Sequence, residues 1–301
     1  MSTDQSETAA AGQARYRIRH ATRCGYGDDI VLAHHVLHLA PRQVPNQRIL
    51  GFRMVIAPEP SVLAPHIDLF GNPTTYLELR EPHESLEILT ELEVEIDPPV
   101  APESLSPVPW ETLRDALMDP ADRPARGAAT FAYPSGLVPA MAELKDYALP
   151  SFGPGRAVAD AALDLTRRIH ADFTFDPSAT TISTPLAEVL AERRGVCQDF
   201  AHLALGCVRS LGLAGRYVSG YLRTIPPPGR KRLVGADVSH AWLSVWCGGD
   251  AWLDLDPTNG CSGSTDMISL AWGRDYYDVS PMRGVILGSR RQNLSVEVDV
   301  E

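Results

Sequence analysis

The hydrophobic period of the chain changes from strand-like to helical across a proline-rich stretch, and that change limits the folds open to it. Between Asp97 and Pro109 five prolines (98, 99, 102, 107 and 109) interrupt any periodic pattern. Such a composition is that of a semi-rigid linker or an extended strap between two units. Before it, residues 15–97 read as strands. The clearest is 85–96, where Leu86, Ile88, Leu92, Val94 and Ile96 alternate with Glu87, Glu91, Glu93 and Glu95. One face is apolar and the other acidic, as in an antiparallel sheet with one wet side. Residues 29–39, 48–56 and 75–79 are further short runs bounded by Gly, Pro and Asn, with Gly71-Asn72-Pro73 as a turn. Together they predict an N-terminal antiparallel β-sandwich.

Beyond the linker the period is helical. Residues 110–118 and 137–149 suit short helices, and 156–171 is a stronger case, with Val158, Ala161, Ala162, Leu165 and Ile169 on one stripe. Thr184-Pro185 reads as an N-cap followed by proline at the first helical position. Strands follow at 215–222, 238–247 and 251–256, and the tail from Val285 alternates again as one closing strand. The predicted organisation is α+β: a disordered lead-in over 1–13, the sandwich over 14–99, and a core over 100–301.

Charge and cysteines narrow the function. With 301 residues and a formal net charge of −11, a nucleic-acid backbone is a poor partner. The cysteines (24, 197, 207, 247 and 261) are odd in number and widely spaced, without a CxxC pair. That is neither a disulfide framework nor a zinc site. The first residues carry no basic and apolar leader pattern, and no stretch reaches the ~18 apolar residues of a membrane span. A cytoplasmic, reduced protein without a membrane partner is the expectation, and a thiol there is free to react. The loop 226–232, Pro-Pro-Pro-Gly-Arg-Lys-Arg, reads as a basic surface loop.

His34, His35 and His38 form the one cluster that suggests a metal. Histidines i and i+4 on a strand lie about 13 Å apart, and no further ligand is set by spacing, so the cluster reads as a polar sheet face. A metal-dependent hydrolase built on it would lose activity to chelators and be indifferent to Cys197→Ala. No cofactor is expected.

Cys197 offers more. Arg193-Arg194-Gly195-Val196 leads into Cys197, and Phe200, Ala201, Ala204, Val208 and Leu211 then recur at helical spacing. Gly212 suits the helix stop. A thiol at a helix N-terminus lies in the positive end of the dipole, which favours thiolate. Taken alone, a free cysteine is more often a small buried hydrophobe. A nucleophile needs a base and a group to orient that base. Ser239-His240-Ala241-Trp242 lies in one strand and Trp252-Leu253-Asp254-Leu255-Asp256-Pro257-Thr258 ends the next, with Gly248-Gly249 between them as a hairpin signal. A three-residue loop, 248–250, is expected to pair His240 directly with Asp256. It places Ala241, Leu243, Val245, Leu253 and Leu255 on an apolar face, and His240, Trp242, Ser244, Trp252, Asp254 and Asp256 on the other. Asp254 is the rival carboxylate, one pair further along. Trp242, Trp252 and Tyr221 are candidates either for cleft walls or for core.

Gly-Val-Cys-Gln-Asp-Phe-Ala-His, Arg216-Tyr217-Val218-Ser219-Gly220-Tyr221-Leu222, Ser-His-Ala-Trp and Asp-Pro-Thr-Asn together resemble the bacterial transglutaminase-like family of candidate cysteine proteases. Ser183-Thr184-Pro185-Leu186, Gly235-Ala236-Asp237 and Gly273-Arg274-Asp275-Tyr276 also resemble its blocks. Asp68-Leu69-Phe70-Gly71-Asn72 and His83 resemble the β-rich region that precedes the core in these proteins. The resemblance covers nearly the whole chain and is strongest over 181–259. It implies a papain-like α+β core, with the nucleophile helix packed on an antiparallel sheet. It also implies Cys197 as nucleophile, His240 as base and then acid, and Asp256 rather than Asp254 as orienting carboxylate. Animal transglutaminases carry a tryptophan before the cysteine that helps hold the oxyanion. Here the only upstream tryptophan is Trp110, so the hole is expected to use the Cys197 backbone N–H with another donor. The expected activity is acyl transfer from an amide or peptide carbonyl through a thioester, released by water (protease or amidase) or by an amine (transglutaminase or amide ligase). The expected partners are a peptide or protein substrate and, for the second route, an amine acceptor. The alternative is a non-catalytic scaffold that binds a partner peptide. Labelling of Cys197 separates them: a pH midpoint near the ordinary thiol value of about 8.5 fits the scaffold, and a low midpoint that rises in His240→Ala fits the enzyme.

Overall fold

In this computed structural model, residues 12–105, 107–119, 121–224, 238–289 and 291–301 are described. The expected lead-in up to residue 11, the basic loop 226–232 and Gly235-Ala236-Asp237 lie outside them. Six strands precede the linker: β1 (Ala14–Ile30), β2 (Leu32–Leu37), β3 (Gln47–Ala57), β4 (Val62–Ile67), β5 (Pro73–Leu79) and β6 (His83–Ile96). After it come α1 (Trp110–Leu117), α2 (Arg123–Ala129), α3 (Ala142–Ala148), α4 (Val158–Asp172), β7 (Thr174–Phe175), α5 (Leu186–Glu192), β8 (Arg194–Gly195) and α6 (Cys197–Ser210). The remainder is β9 (Gly215–Leu222), β10 (Val238–Trp246), β11 (Trp252–Asp256), β12 (Cys261–Ser262), β13 (Met267–Gly273), α7 (Tyr276–Val279), β14 (Met282–Leu287) and β15 (Gln292–Val300).

The N-terminal unit is a sandwich of two antiparallel four-stranded sheets, ordered β15-β1-β6-β3 and β14-β2-β5-β4. Alternation on β6 works as its sequence implies. Leu86, Ile88, Leu92, Val94 and Ile96 are buried, whereas Glu87 and Glu93 meet Arg23 and Arg17 directly across on β1. Those arginines keep the acidic face from repelling itself, although exposed pairs of this kind add little stability. Leu37, Leu77, Leu79, Leu86 and Ile88 fill the space between the sheets.

The core unit is a five-stranded antiparallel sheet, β12-β11-β10-β9-β13, with α6 packed on it. Phe200, Ala201, Leu205 and Val208 of α6 share one buried cluster with Ala241, Leu243, Val245, Leu253 and Leu255. That is the apolar face expected from strand parity. No helix of the described residues is long and apolar enough to cross a membrane.

Several expectations need correction. The tail forms two strands, not one, and both leave the core. β14 pairs with β2 and β15 with β1, so 282–300 completes the N-terminal sheets, although a division at residue 100 assigns it to the core. The alternation at 294–300 was legible; its partner was not, because strand pairing is non-local. The helix expected over 137–149 is only 142–148: Pro139 disfavours helix at the residue before it and removes a donor, and Leu137 N–H donates to Asp275 Oδ2 at 3.0 Å. Pro185, not Thr184, precedes the first residue of α5 in extended geometry; the Thr184 hydroxyl instead accepts from Thr181 N–H at 2.9 Å.

The two units share a cluster of Tyr16, Ile18, Leu92 and Val94 with Tyr221, Ile268 and Leu270. Polar side chains extend the joint. Gln47 exchanges two hydrogen bonds with the Ser269 backbone, at 2.8 and 2.9 Å, and Asn72 does the same with Trp272, at 2.8 and 2.9 Å. Each amide acts as one peptide unit of an added strand, covering the open edge of β13.

Candidate active site

The loop before α6 is held from three sides. β7 and β8 pair in parallel, with Phe175 opposite Gly195, and Asp176 N–H donates to Gly195 O at 2.9 Å. Arg193 ends α5 in left-handed geometry, φ 54°, and its guanidinium reaches Asp172 at 3.4 Å. Asp199 turns back from the first turn of α6, accepting from Val196 N–H at 2.8 Å and from the Thr180 hydroxyl at 2.6 Å. An acid three residues into a helix that reaches back to the preceding N–H is half of a capping box, a signal the sequence carries at Asp199. Burial raises its pKa, and the Thr180 and Val196 bonds oppose that. Gly195 is required here: a Cβ at that position would lie 2.7 Å from Asp199 Oδ2.

Cys197 therefore begins α6 at a defined place, partly exposed and unoxidised, while Cys24, Cys207 and Cys247 are buried. Its sulfur acts on the His240 ring as a hydrogen-bonding and electrostatic partner that raises the ring's pKa. His240 Nε2 lies 2.8 Å from Asp256 Oδ2, which leaves Nδ1 for the thiol. The structure thus brings Cys197, His240 and Asp256 into one chain of contacts. Burial lowers the His240 pKa, but the bonds to Asp256 and Cys197 outweigh it and carry the value up to about 10.

The 248–250 loop forms as expected, closed by Cys247 N–H to Ala251 O at 2.9 Å, yet His240 and Asp256 are not directly opposite. The ladder pairs Leu243 with Leu255 and Ser244 with Asp254. Continued in that register, Trp242 faces Asp256, and His240 faces Thr258 beyond the end of β11. His240 and Asp256 share a face but meet on the diagonal, where backbones lie about 7–8 Å apart and long side chains still reach. Asp254 is engaged elsewhere, with the Ser244 hydroxyl directly across from it.

Asp256 is buried, 1% exposed, and its carboxylate is saturated. Oδ1 accepts from the backbone N–H of Thr258 (2.9 Å) and Asn259 (3.2 Å), and Oδ2 accepts from the Asn259 side-chain amide at 2.6 Å besides His240. Burial would raise its pKa, but His240 and Asn259 hold it below the ordinary carboxylate range. Asn259 had no assigned role in the sequence; an Asx turn after Asp-Pro is the signal that could have found it.

The remaining candidates separate. Trp242 and Tyr221 are core residues, and Trp252 is partly exposed on a cavity wall. Trp110 is buried, its indole N–H donating to Gly153 O at 3.1 Å, and is bound into the helical layer. The histidine cluster is not a polar face: His35 and His38 are buried, His38 Nδ1 lies 3.0 Å from Ser280 O, and His34 Nδ1 lies 2.5 Å from the Tyr76 hydroxyl. His34 and His35 fall on opposite sides because β2 alternates, and His38 lies one residue past its end.

Comparison with known proteins bears on the family and the fold. Residues 16–95 match the model of the bacterial transglutaminase-like N-terminal region, and 146–257 match that of the transglutaminase-like superfamily. An uncharacterized protein of Mycobacterium tuberculosis is 40% identical over 311 residues, covering 100% of this chain and 97% of that one. The chain belongs to the transglutaminase-like superfamily. A solved structure of a candidate cysteine protease from Cytophaga hutchinsonii superposes with a TM-score of 0.74 at 19% identity, over 96% of this chain and 92% of that one. The transglutaminase-like protein therefore has the papain-like α+β fold, with its N-terminal sandwich included in the match. A protein-glutamine gamma-glutamyltransferase of Pseudomonas aeruginosa is 30% identical over 129 residues, 36% of this chain and 19% of that one.

Proposed function

We propose that this protein transfers acyl groups from a carboxamide or peptide carbonyl through a thioester on Cys197. The observation that carries this reading is the 2.8 Å contact of His240 with a four-fold hydrogen-bonded Asp256, on a ring whose pKa the Cys197 sulfur also raises. His240, its pKa raised and its ring charged, holds the thiol proton while the sulfur attacks the carbonyl carbon. It returns that proton to the leaving nitrogen as the C–N bond breaks, releasing ammonia or an amine and leaving the thioester. Asp256 holds the ring and stabilises its charged form. The Cys197 backbone N–H, at the start of α6, is a donor for the oxyanion. Water then gives the acid, and an amine gives a new amide. The named activity of the Pseudomonas relative is of the second kind and supports testing amines first.

The test is mass spectrometry of the full chain incubated with glutamine-containing and other peptides, with and without a primary amine, beside Cys197→Ala. An adduct on the Cys197 peptide, absent from the variant, is expected, with an amide product where the amine is the acceptor. Turnover that survives in Cys197→Ala would overturn the reading.

A further inference from the structure

On the sheet face that carries His240, β9 places Arg216 opposite Ser244, four residues from His240 and so about 13 Å along the strand. The Arg216 guanidinium carbon lies 3.6 Å from the centre of the Trp272 ring and 4.3 Å from that of Trp252. Arg42 stacks on Trp272 as well, at 3.4 Å. The Arg216 guanidinium is thus held against two rings, which restrains it and leaves its N–H groups for hydrogen bonds. Its Nε is buried without a hydrogen-bond partner. Burial pulls its pKa down to about 10 although Asp254 opposes this, the mark of a cation whose desolvation is incompletely offset.

Two cavities meet at this residue. One, of about 640 Å³, is walled by Phe70, Phe131, Trp252 and Trp272, with Arg123 also on its lining. Phe131 stands edge-on to Trp252 with ring centres 5.7 Å apart. The other, of about 540 Å³, lies between Asp254 and the strap at Pro98 and Pro99. Neither reaches Cys197, and along the sheet Val218 and Trp242 are buried between Arg216 and His240. A guanidinium restrained by two rings presents parallel N–H groups matched to a carboxylate, and aromatic walls beside it suit a flat apolar body.

We propose that this cavity binds an aryl carboxylate, its carboxylate on the N–H edge of Arg216 and its ring among Phe70, Phe131 and Trp252. The site is independent of the acyl-transfer reading. The same group occurs free or as the C-terminus of a peptide ending in an aromatic residue.

Isothermal titration calorimetry of the full chain with phenylacetate, phenylacetamide, inorganic phosphate and N-acetylglycylphenylalanine tests it. Phenylacetate is expected to bind saturably, one per chain, with phenylacetamide and phosphate each about tenfold or more weaker, since one lacks the charge and the other the ring. A tighter dipeptide assigns the peptide terminus as the source, and a tighter phenylacetate assigns the free acid; each supports the site. Arg216→Lys keeps a cation beside Asp254 but loses the fork, and should weaken phenylacetate about tenfold while alkylation of Cys197 is unchanged. No wild-type binding, or equal binding of acid and amide, would overturn the proposal without any variant. Full affinity in Arg216→Lys would overturn the role of Arg216.

Discussion

His240 Nε2 lies 2.8 Å from Asp256 Oδ2 although the two residues are not cross-strand partners. Asp256 is the last residue of β11, and beyond it the chain turns through Pro257 so that the backbone N–H groups of Thr258 and Asn259 face its carboxylate. His240 overhangs the end of β11, and that overhang leaves one edge of the ring open to the start of α6.

The first expectation concerns the chain of contacts itself. Cys197→Ala should abolish any covalent adduct, and His240→Ala should lower the rate of acyl transfer by about 10²–10⁴-fold, the usual contribution of a placed acid–base group. Iodoacetamide modification followed by peptide mapping gives a second readout, because exposed Cys261 serves as an internal reference. If His240→Ala leaves the ratio of Cys197 to Cys261 labelling unchanged, the histidine does not activate the thiol.

Protonation of His240 links the pair to stability. Its pKa moves from an ordinary 6.5 to about 10: burial lowers it, and the Asp256 and Cys197 bonds outweigh that. A ring with a raised native pKa stabilises the fold fully below its unfolded value, and that contribution fades as pH rises through the native value. Between pH 6.5 and about 10 the wild-type melting temperature should therefore fall more steeply than that of Asp256→Asn. Parallel melting curves across this range would show that the pair contributes nothing to stability.

Asn259→Ala removes a 2.6 Å donor from a buried carboxylate. A hydrogen bond to a charged group is worth about 1.5–3 kcal/mol, and a loss of that order is expected in urea unfolding. Asp256 is held below the ordinary carboxylate range in part by this amide. A lowered native pKa contributes stability above the unfolded value that is lost as pH falls through the native one. The variant has less to lose, is less stable at neutral pH, and should unfold in acid at a higher pH than wild type.

Gly195→Ala places a Cβ 2.7 Å from Asp199 Oδ2 and 2.9 Å from Asp199 Cβ. Relief requires Asp199 to leave the Val196 N–H, at a cost of about 1–3 kcal/mol. Thermal unfolding should show that loss, with slower alkylation of Cys197 because its loop is no longer tied down. A variant with wild-type stability and labelling would mean that Asp199 does not position the thiol.

What the sequence determined by itself is local. Alternation over 85–96, the apolar stripe of α6 and the glycines after Cys247 report which side chains must be buried and where the backbone can turn, and each depends only on neighbours in the chain. Parity likewise put His240 and Asp256 on one face, since strand side chains alternate whatever lies across from them. The tertiary structure decided the rest. A loop at 248–250 already sets the register in which Trp242 faces Asp256, so direct pairing of His240 with Asp256 miscounts the ladder; that the two side chains meet across the diagonal is what the structure shows. β14 and β15 belong to the N-terminal sheets because β2 and β1 offer them open ladder edges; of the alternating tail only Val298 and Val300 are buried there, while Leu294 and Val296 stay exposed. Arg216 shows the limit most plainly: its place between Trp252 and Trp272 joins residues from three strands, and only the assembled sheet brings them together.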